Sequence, residues 1–158
     1  AQIAKTNMSE LNDLQYNEDQ LDFAVRIHNT LPQPRPLDSI REIADLSGQV
    51  GMGSTDVGDV SWVVPTSGFS TSCWVPGTPG HSWQAVAAGG TDIGRQGMQM
   101  AAKTLAASAW DLFRDPKLVA AAQAEHRSRV GGRKYEAMLE PNQPPPLDQR
   151  DPPKRVSR

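Results

Sequence analysis

Apolar side chains recur at helical spacing in two long stretches of the chain. In Asp19–Thr30 the period predicts an amphipathic helix that ends before a Pro-rich stretch. In Asp92–Arg114 the same period continues over six turns and predicts the longest helix of the chain. The apolar positions that carry this second pattern are Ile93, Met98, Ala101, Ala102, Leu105, Ala109, Leu112 and Phe113.

Capping residues predict a further helix directly after Asp92–Arg114. Asp115 can cap it, and Pro116 suits its first position because proline presets a helical φ and needs no hydrogen-bond partner there. Gly131 and Gly132 are expected to end the helix near Val130.

Two shorter helices are predicted in the first half of the chain. The Pro-rich stretch Leu31–Pro36 reads as an extended connector, and Leu37–Gln49 follows it as a short helix with Asp38 or Ser39 as its N-cap. A second short helix runs from Asp56 to about Val63. Its candidate caps are Ser54 and Thr55, and Pro65 ends it.

Between the helices predicted at Asp56–Val63 and Asp92–Arg114, the sequence pattern changes to a period of two residues. In Phe69–Val75 the residues Phe69, Thr71 and Cys73 alternate with Ser70, Ser72 and Trp74, which predicts a strand. A strand among helices indicates an α/β fold. In open α/β sheets, functional sites lie just beyond the carboxyl ends of the strands.

The sequence PGTPGH follows the predicted strand and ends on His81. Glycine admits sharp backbone bends and proline fixes φ, so this stretch predicts a stiff loop that presents an imidazole. Rigid loops at the end of a strand often carry function. The alternative is an ordinary surface turn with a solvated histidine, and spacing alone does not decide between them.

The stretch GSTDVGDVSWVVP, followed by PGTPGHSWQ, resembles the C-terminal part of the two-metal amidohydrolases and peptidases of the aminoacylase and carboxypeptidase G type. Within that group, the resemblance is strongest to the p-aminobenzoyl-glutamate hydrolases. It implies the C-terminal part of a three-layer α/β/α metallopeptidase-like catalytic domain, here residues 37–140. Residues 1–36 would form a helical segment with its connector.

The resemblance implies one metal ligand in this chain and no catalytic residue. His81 matches a histidine that binds one of two bridged divalent ions, with Zn²⁺ or Mn²⁺ expected. Gly53, Ser54 and Thr55 match a loop beside the bound substrate, and Asp56 is a candidate to orient the His81 ring. The substrate implied is an N-acyl or p-aminobenzoyl amino acid, or a dipeptide, attacked by metal-activated water.

The other signatures of that group are absent from this sequence, since it contains neither an HxD motif nor a Glu-Glu pair. We therefore expect the C-terminal third of a larger enzyme, with the N-terminal part of the catalytic domain as a partner and a possible homo- or hetero-oligomer. The chain alone is expected to be inactive. The alternative is a non-catalytic α/β binding or structural module without metal.

Composition and charge narrow the classes of protein to which this chain can belong. A net charge of −2 argues against a general nucleic-acid surface, and no apolar run approaches the length of a membrane span. The single cysteine, Cys73, cannot form an internal disulfide, so a cytoplasmic location is expected. Residues 141–158 contain six prolines and few apolar side chains, which predicts a disordered tail.

Overall fold

The computed structural model describes residues 1–46, 48–49, 53, 55–140 and 142–147. Throughout these residues the regular structure is helical. A short 3₁₀ helix, Leu37–Arg41, follows the second of six α-helices. The α-helices are α1 (Gln2–Leu11), α2 (Glu18–His28), α3 (Val57–Val63), α4 (Trp83–Gly89), α5 (Asp92–Arg114) and α6 (Pro116–Val130).

The predicted α/β fold, a three-layer α/β/α domain, is wrong for the part of the chain that is described. Phe69–Val75 forms no strand, and no β-sheet occurs in these residues. The segment packs on a helix instead: the Thr71 hydroxyl donates a hydrogen bond to the Gly97 carbonyl of α5. The neighbour of this alternating segment is therefore a helix. A β-strand would need a second strand beside it to complete its hydrogen-bond ladder.

Helix α5 is the element against which α1, α4 and the segment Phe69–Val75 pack. Two glycines permit the closest approaches. A Cβ built at Gly94 would lie 2.2 Å from the Gly89 carbonyl oxygen, and one at Gly97 would lie 2.6 Å from that of Ser72. Residues with side chains could not pack this closely. The buried face of α5 consists of Ile93, Gly94, Gly97, Met100 and Thr104.

Among the described residues, two small apolar clusters form the core. One contains Ala24, Ile27, Leu31, Val75 and Ile93, and the other contains Met8, Leu14, Ile40 and Met100. The half-buried ring of Tyr16 packs against both clusters and therefore joins them. A polar contact adds to the packing of α1 on α5, where Asn7 Nδ2 donates to Asp111 Oδ2 at 2.8 Å.

Four of the predicted helices are present. Helix α5 has the predicted bounds, and α6 has Asp115 as its N-cap, Pro116 at its start and Gly131 in the left-handed conformation at its end. Helix α2 lies within one or two residues of its prediction. At the start of α3 the Thr55 hydroxyl accepts a hydrogen bond from the Val57 N–H, while Ser54 lies outside the described residues.

Other predictions need correction. Leu37–Gln49 is not an α-helix, because only Leu37–Arg41 is helical, as a 3₁₀ helix, and residues 42–46 have no regular structure. Neither Asp38 nor Ser39 caps it: the cap position is Pro36, and the Ser39 hydroxyl donates to the Pro36 carbonyl. Helices α1 and α4 are additional to those that the sequence pattern predicts.

The proposed division into residues 1–36, 37–140 and 141–158 stays a prediction. Of the Pro-rich tail, residues 142–147 are described, without helix or strand, and the prediction of disorder for residue 141 and residues 148–158 falls outside the described residues. None of the helices in the described ranges is both long enough and apolar enough to cross a bilayer.

Candidate functional site

His81 lies on an exposed loop immediately before α4, as the PGTPGH sequence predicts. The next residue, Ser82, anchors the loop to the helix. Its hydroxyl accepts a hydrogen bond from the Ala85 N–H and donates one to the Pro79 carbonyl at 2.7 Å. This N-cap fixes the direction in which the chain enters α4 and thereby restrains the backbone that carries His81.

The start of the loop is held by the Pro-rich connector. Gly77 has a φ of +90°, and a Cβ built there would lie 2.5 Å from the Gln33 carbonyl oxygen. Glycine is therefore required both by backbone conformation and by space. The Arg35 N–H donates to the Pro76 carbonyl at 3.4 Å, and the His28 ring Nε2 lies 3.1 Å from the Arg35 carbonyl oxygen.

The indole of Trp74 supports the other end of the loop. A Cβ built at Gly80 would lie 3.8 Å from the six-membered ring of Trp74, and one built at Gly89 would lie 3.6 Å from its Nε1. The indole thus spans from the residue before His81 to the last residue of α4. It remains 39% exposed.

Helix α4 presents further apolar surface beside this loop. Gln84, Ala85 and Ala88 form its buried face. At 100° per residue, Trp83 and Val86 lie on the opposite side of the helix, and their exposures are 60% and 80%. The exposed side of α4 is therefore aromatic and aliphatic, and the α4 sequence WQAVAAG contains no charged side chain.

The other predicted site residues lie at the start of α3. Gly53, Thr55 and Asp56 are exposed, and a Cβ at Gly53 would meet open space. The α3 region is tied to the end of α6 by contacts of Ser61 with His126 and of Trp62 with Arg133. Ser54 lies outside the described residues.

Asp56 stands at the N-cap of α3, and within the described residues no hydrogen bond joins it to His81. Its proposed orienting role, like the substrate-binding role of Gly53, Ser54 and Thr55, stays a prediction. The two parts of the predicted site are held by different elements of the fold. His81 is held by the connector and α4, whereas the α3 start is linked to α6.

The residues present do not by themselves fit a divalent metal centre. In the described ranges no group of three or more His, Cys, Asp or Glu side chains could hold an ion. His81 is exposed, and the other two histidine rings make backbone contacts elsewhere, His28 with Arg35 and His126 with Ser61. A catalytic zinc takes three protein ligands, and these residues do not supply them together.

An open cavity lies apart from the residues of this loop. It has a volume of about 480 Å³. Helix α1 and the irregular segments 42–46 and 66–72 line it, and Lys5 forms a 2.7 Å ion pair with Asp45 in its wall. His81 is not among its lining residues, and the sequence pattern gives no sign of it.

The sequence pattern also misses the aromatic residues beside His81. It places Trp74 within the predicted strand and gives Trp83 no role. A signal is present, because two of the four tryptophans lie within seven residues of His81. The contact of Trp74 with the loop depends on the position of Gly80 and Gly89, which the local pattern does not define.

Comparison with known proteins gives one relationship. The chain is a distant homologue of a subunit of the p-aminobenzoyl-glutamate hydrolase from Escherichia coli strain K12, with 32% identity over 164 aligned positions. The match covers 87% of this chain and 34% of that protein, so the chain spans about a third of the length of its relative. No family model and no solved structure matches the chain.

Proposed function

We propose that this chain is part of a hydrolase that cleaves the amide bond of p-aminobenzoyl-glutamate or of related N-acyl amino acids. The observation that carries the proposal is the 32% identity with the E. coli hydrolase subunit over most of the chain. The relative's name supplies the substrate class. Because that name describes one subunit of the hydrolase, a second subunit is part of the proposal.

The role proposed for this chain is to present His81 and the surface around it. The stiff loop supports that role, since Gly77 and Ser82 fix its two ends. Zn²⁺ or Mn²⁺ remains the proposed cofactor, and when bound it would activate water for attack on the amide. The further ligands would have to come from outside the described residues, because these do not assemble a metal site.

The test requires a polypeptide that contains this stretch together with the regions that correspond to the rest of the relative. Release of p-aminobenzoate from p-aminobenzoyl-glutamate should be measured with and without added Zn²⁺ or Mn²⁺. His81→Ala should lower turnover by roughly 100-fold or more if the ring is a ligand.

Met98→Ala is the control, because that side chain is 60% exposed on α5 and belongs to neither part of the predicted site. It should leave turnover within about twofold of the wild type. If the wild-type polypeptide hydrolyses no aryl or acyl amino acid under any metal condition, the enzyme proposal is wrong and a non-catalytic module is favoured. If His81→Ala is as active as wild type, His81 is not part of the site.

A further inference from the structure

The four tryptophans of the chain differ in what lies against their rings. Arg133 stacks over Trp62 at 4.9 Å, and Arg114 lies over Trp110 at 5.6 Å. In the described residues no cation lies over Trp74 or Trp83. Trp74 instead lies beside two glycines, Gly80 and Gly89, which have no side chains to cover its ring.

The position of Trp74 relative to His81 can be bounded. A Cβ at Gly80 would lie 3.8 Å from the ring, and consecutive Cα atoms are about 3.8 Å apart. The six-membered ring of Trp74 therefore lies within about 9 Å of the His81 Cα. An aryl ring stacked on Trp74 could place the amide carbonyl attached to it toward the His81 side chain.

The surroundings favour an uncharged aromatic group over a charged one. Trp83 and Val86 extend the exposed apolar surface along α4, and that helix has no charged residue. Aromatic rings stack in offset or edge-to-face geometry and gain more than their buried area alone provides. A flat, partly exposed indole against a helix without charged side chains is suited to such a partner.

From this geometry we propose that Trp74, with Trp83 on the exposed side of α4, forms the subsite for the aromatic acyl group of the substrate. The inference rests on the proposed function for the identity of that group, p-aminobenzoyl. Trp74 would set specificity for aryl over alkyl acyl groups. The glutamate carboxylates would be recognised elsewhere.

The isolated 158-residue chain can be tested by ¹H–¹⁵N NMR, because each tryptophan contributes one indole N–H signal. Single Trp→Phe variants assign the four signals. Titration with p-aminobenzoyl-glutamate should shift the Trp74 signal most and the Trp83 signal less, and should leave Trp110 in place. N-acetylglutamate, which carries the same carboxylates without the ring, should not shift Trp74.

Substitutions then measure how much Trp74 contributes to the binding affinity. Trp74→Leu should weaken binding of p-aminobenzoyl-glutamate by about three- to tenfold, the range expected for loss of one aromatic pair. Trp74→Phe should retain most of the affinity, and Trp110→Leu is the matched control that should change nothing. If Trp74→Leu does not fold, the wild-type titration and Trp74→Phe decide the question.

Equal shifts of Trp74 with both compounds, or no shift with either, would overturn the subsite. This outcome is separable from failure of the proposed function. A complete polypeptide that hydrolyses no p-aminobenzoyl-glutamate refutes the function even where Trp74 responds selectively to the aryl compound. Hydrolysis without a selective Trp74 response refutes the subsite alone.

Discussion

The Thr71 hydroxyl donates a 2.8 Å hydrogen bond to the carbonyl oxygen of Gly97 in the second turn of α5. This bond holds an irregular segment against a helix. It is possible because position 97 has no side chain: a Cβ there would lie 2.6 Å from the Ser72 carbonyl oxygen and 2.7 Å from Cys73 Sγ. The contact therefore depends on glycine at position 97.

Replacing Gly97 with alanine should consequently destabilise the chain. Alanine favours a helix over glycine by about 1 kcal/mol, but the overpacking against backbone should cost more, leaving a net loss of about 1–3 kcal/mol in the free energy of unfolding. Gly58→Ala in α3 is the control, because a Cβ there meets open space. Urea unfolding followed by circular dichroism measures the free energy of unfolding of both variants. Equal losses in the two would contradict the close packing at Gly97.

The two methionines of α5 test which face of that helix is buried. Met100 is 1% exposed and belongs to the core, whereas Met98 is 60% exposed. Met100→Ala should lower the free energy of unfolding by about 2–5 kcal/mol because it leaves a cavity. Met98→Ala should change it by less than about 0.5 kcal/mol. A larger loss at Met98 would show that the other face is covered.

The bounds of α5 and α6 could be predicted because their signals are local. Asp115, Pro116 and Gly131 act on the backbone within one turn. The buried face of α5 could not be predicted in the same way, because the helix carries apolar residues on two sides. The pattern emphasised Met98, Leu105 and Phe113, all of which are exposed, with Phe113 at 89%.

The strand predicted at Phe69–Val75 is wrong because its packing partner is remote in sequence. Thr71 contacts Gly97, 26 residues away, and alternation cannot distinguish a helix from a strand as that neighbour. For the candidate site, PGTPGH predicts the loop at His81 and leaves the role of that loop open. The support from Gln33 and Trp74 is tertiary and could not be read from local spacing.

Tyr16 should give the chain a stability that falls at high pH. Burial raises the pKa of its phenol to about 12 from 10.0. Below pH 10 the phenol is neutral in the folded and unfolded states, so its contribution is fully present. Between pH 10 and 12 the unfolded chain ionises first, so the free energy of unfolding decreases as pH rises.

Tyr16→Phe should remove that part of the pH dependence. In the described residues the Tyr16 hydroxyl is buried without a hydrogen-bond partner, so at neutral pH the substitution should be neutral or stabilising by up to about 1 kcal/mol. Urea unfolding from about pH 8 to about pH 11.5 compares the two chains across the range in which the phenol ionises. An identical decline in both would rule out Tyr16 as its source.

Gly77→Ala should disturb the loop that carries His81. The substitution combines a φ of +90° with a Cβ 2.5 Å from the Gln33 carbonyl oxygen, so the free energy of unfolding should fall by more than about 2 kcal/mol. Gly132→Ala separates the two effects, because its φ is +74° with open space around it, and should cost about 1 kcal/mol. The NMR signals of the His81 ring should shift only in Gly77→Ala.

The isolated chain should bind divalent metal only weakly and should not hydrolyse amides. Among the described residues His81 has no partners that could complete a metal site, and one exposed imidazole cannot approach the roughly 10 kcal/mol or more that complete zinc sites provide. Calorimetric titration with Zn²⁺ and Mn²⁺, beside a p-aminobenzoate release assay, measures both properties. His81→Ala, His28→Ala and His126→Ala apportion any residual binding among the three rings. Tight stoichiometric binding of two ions, or clear turnover, would show that this chain holds a complete ligand set and that His81 is not its sole contribution.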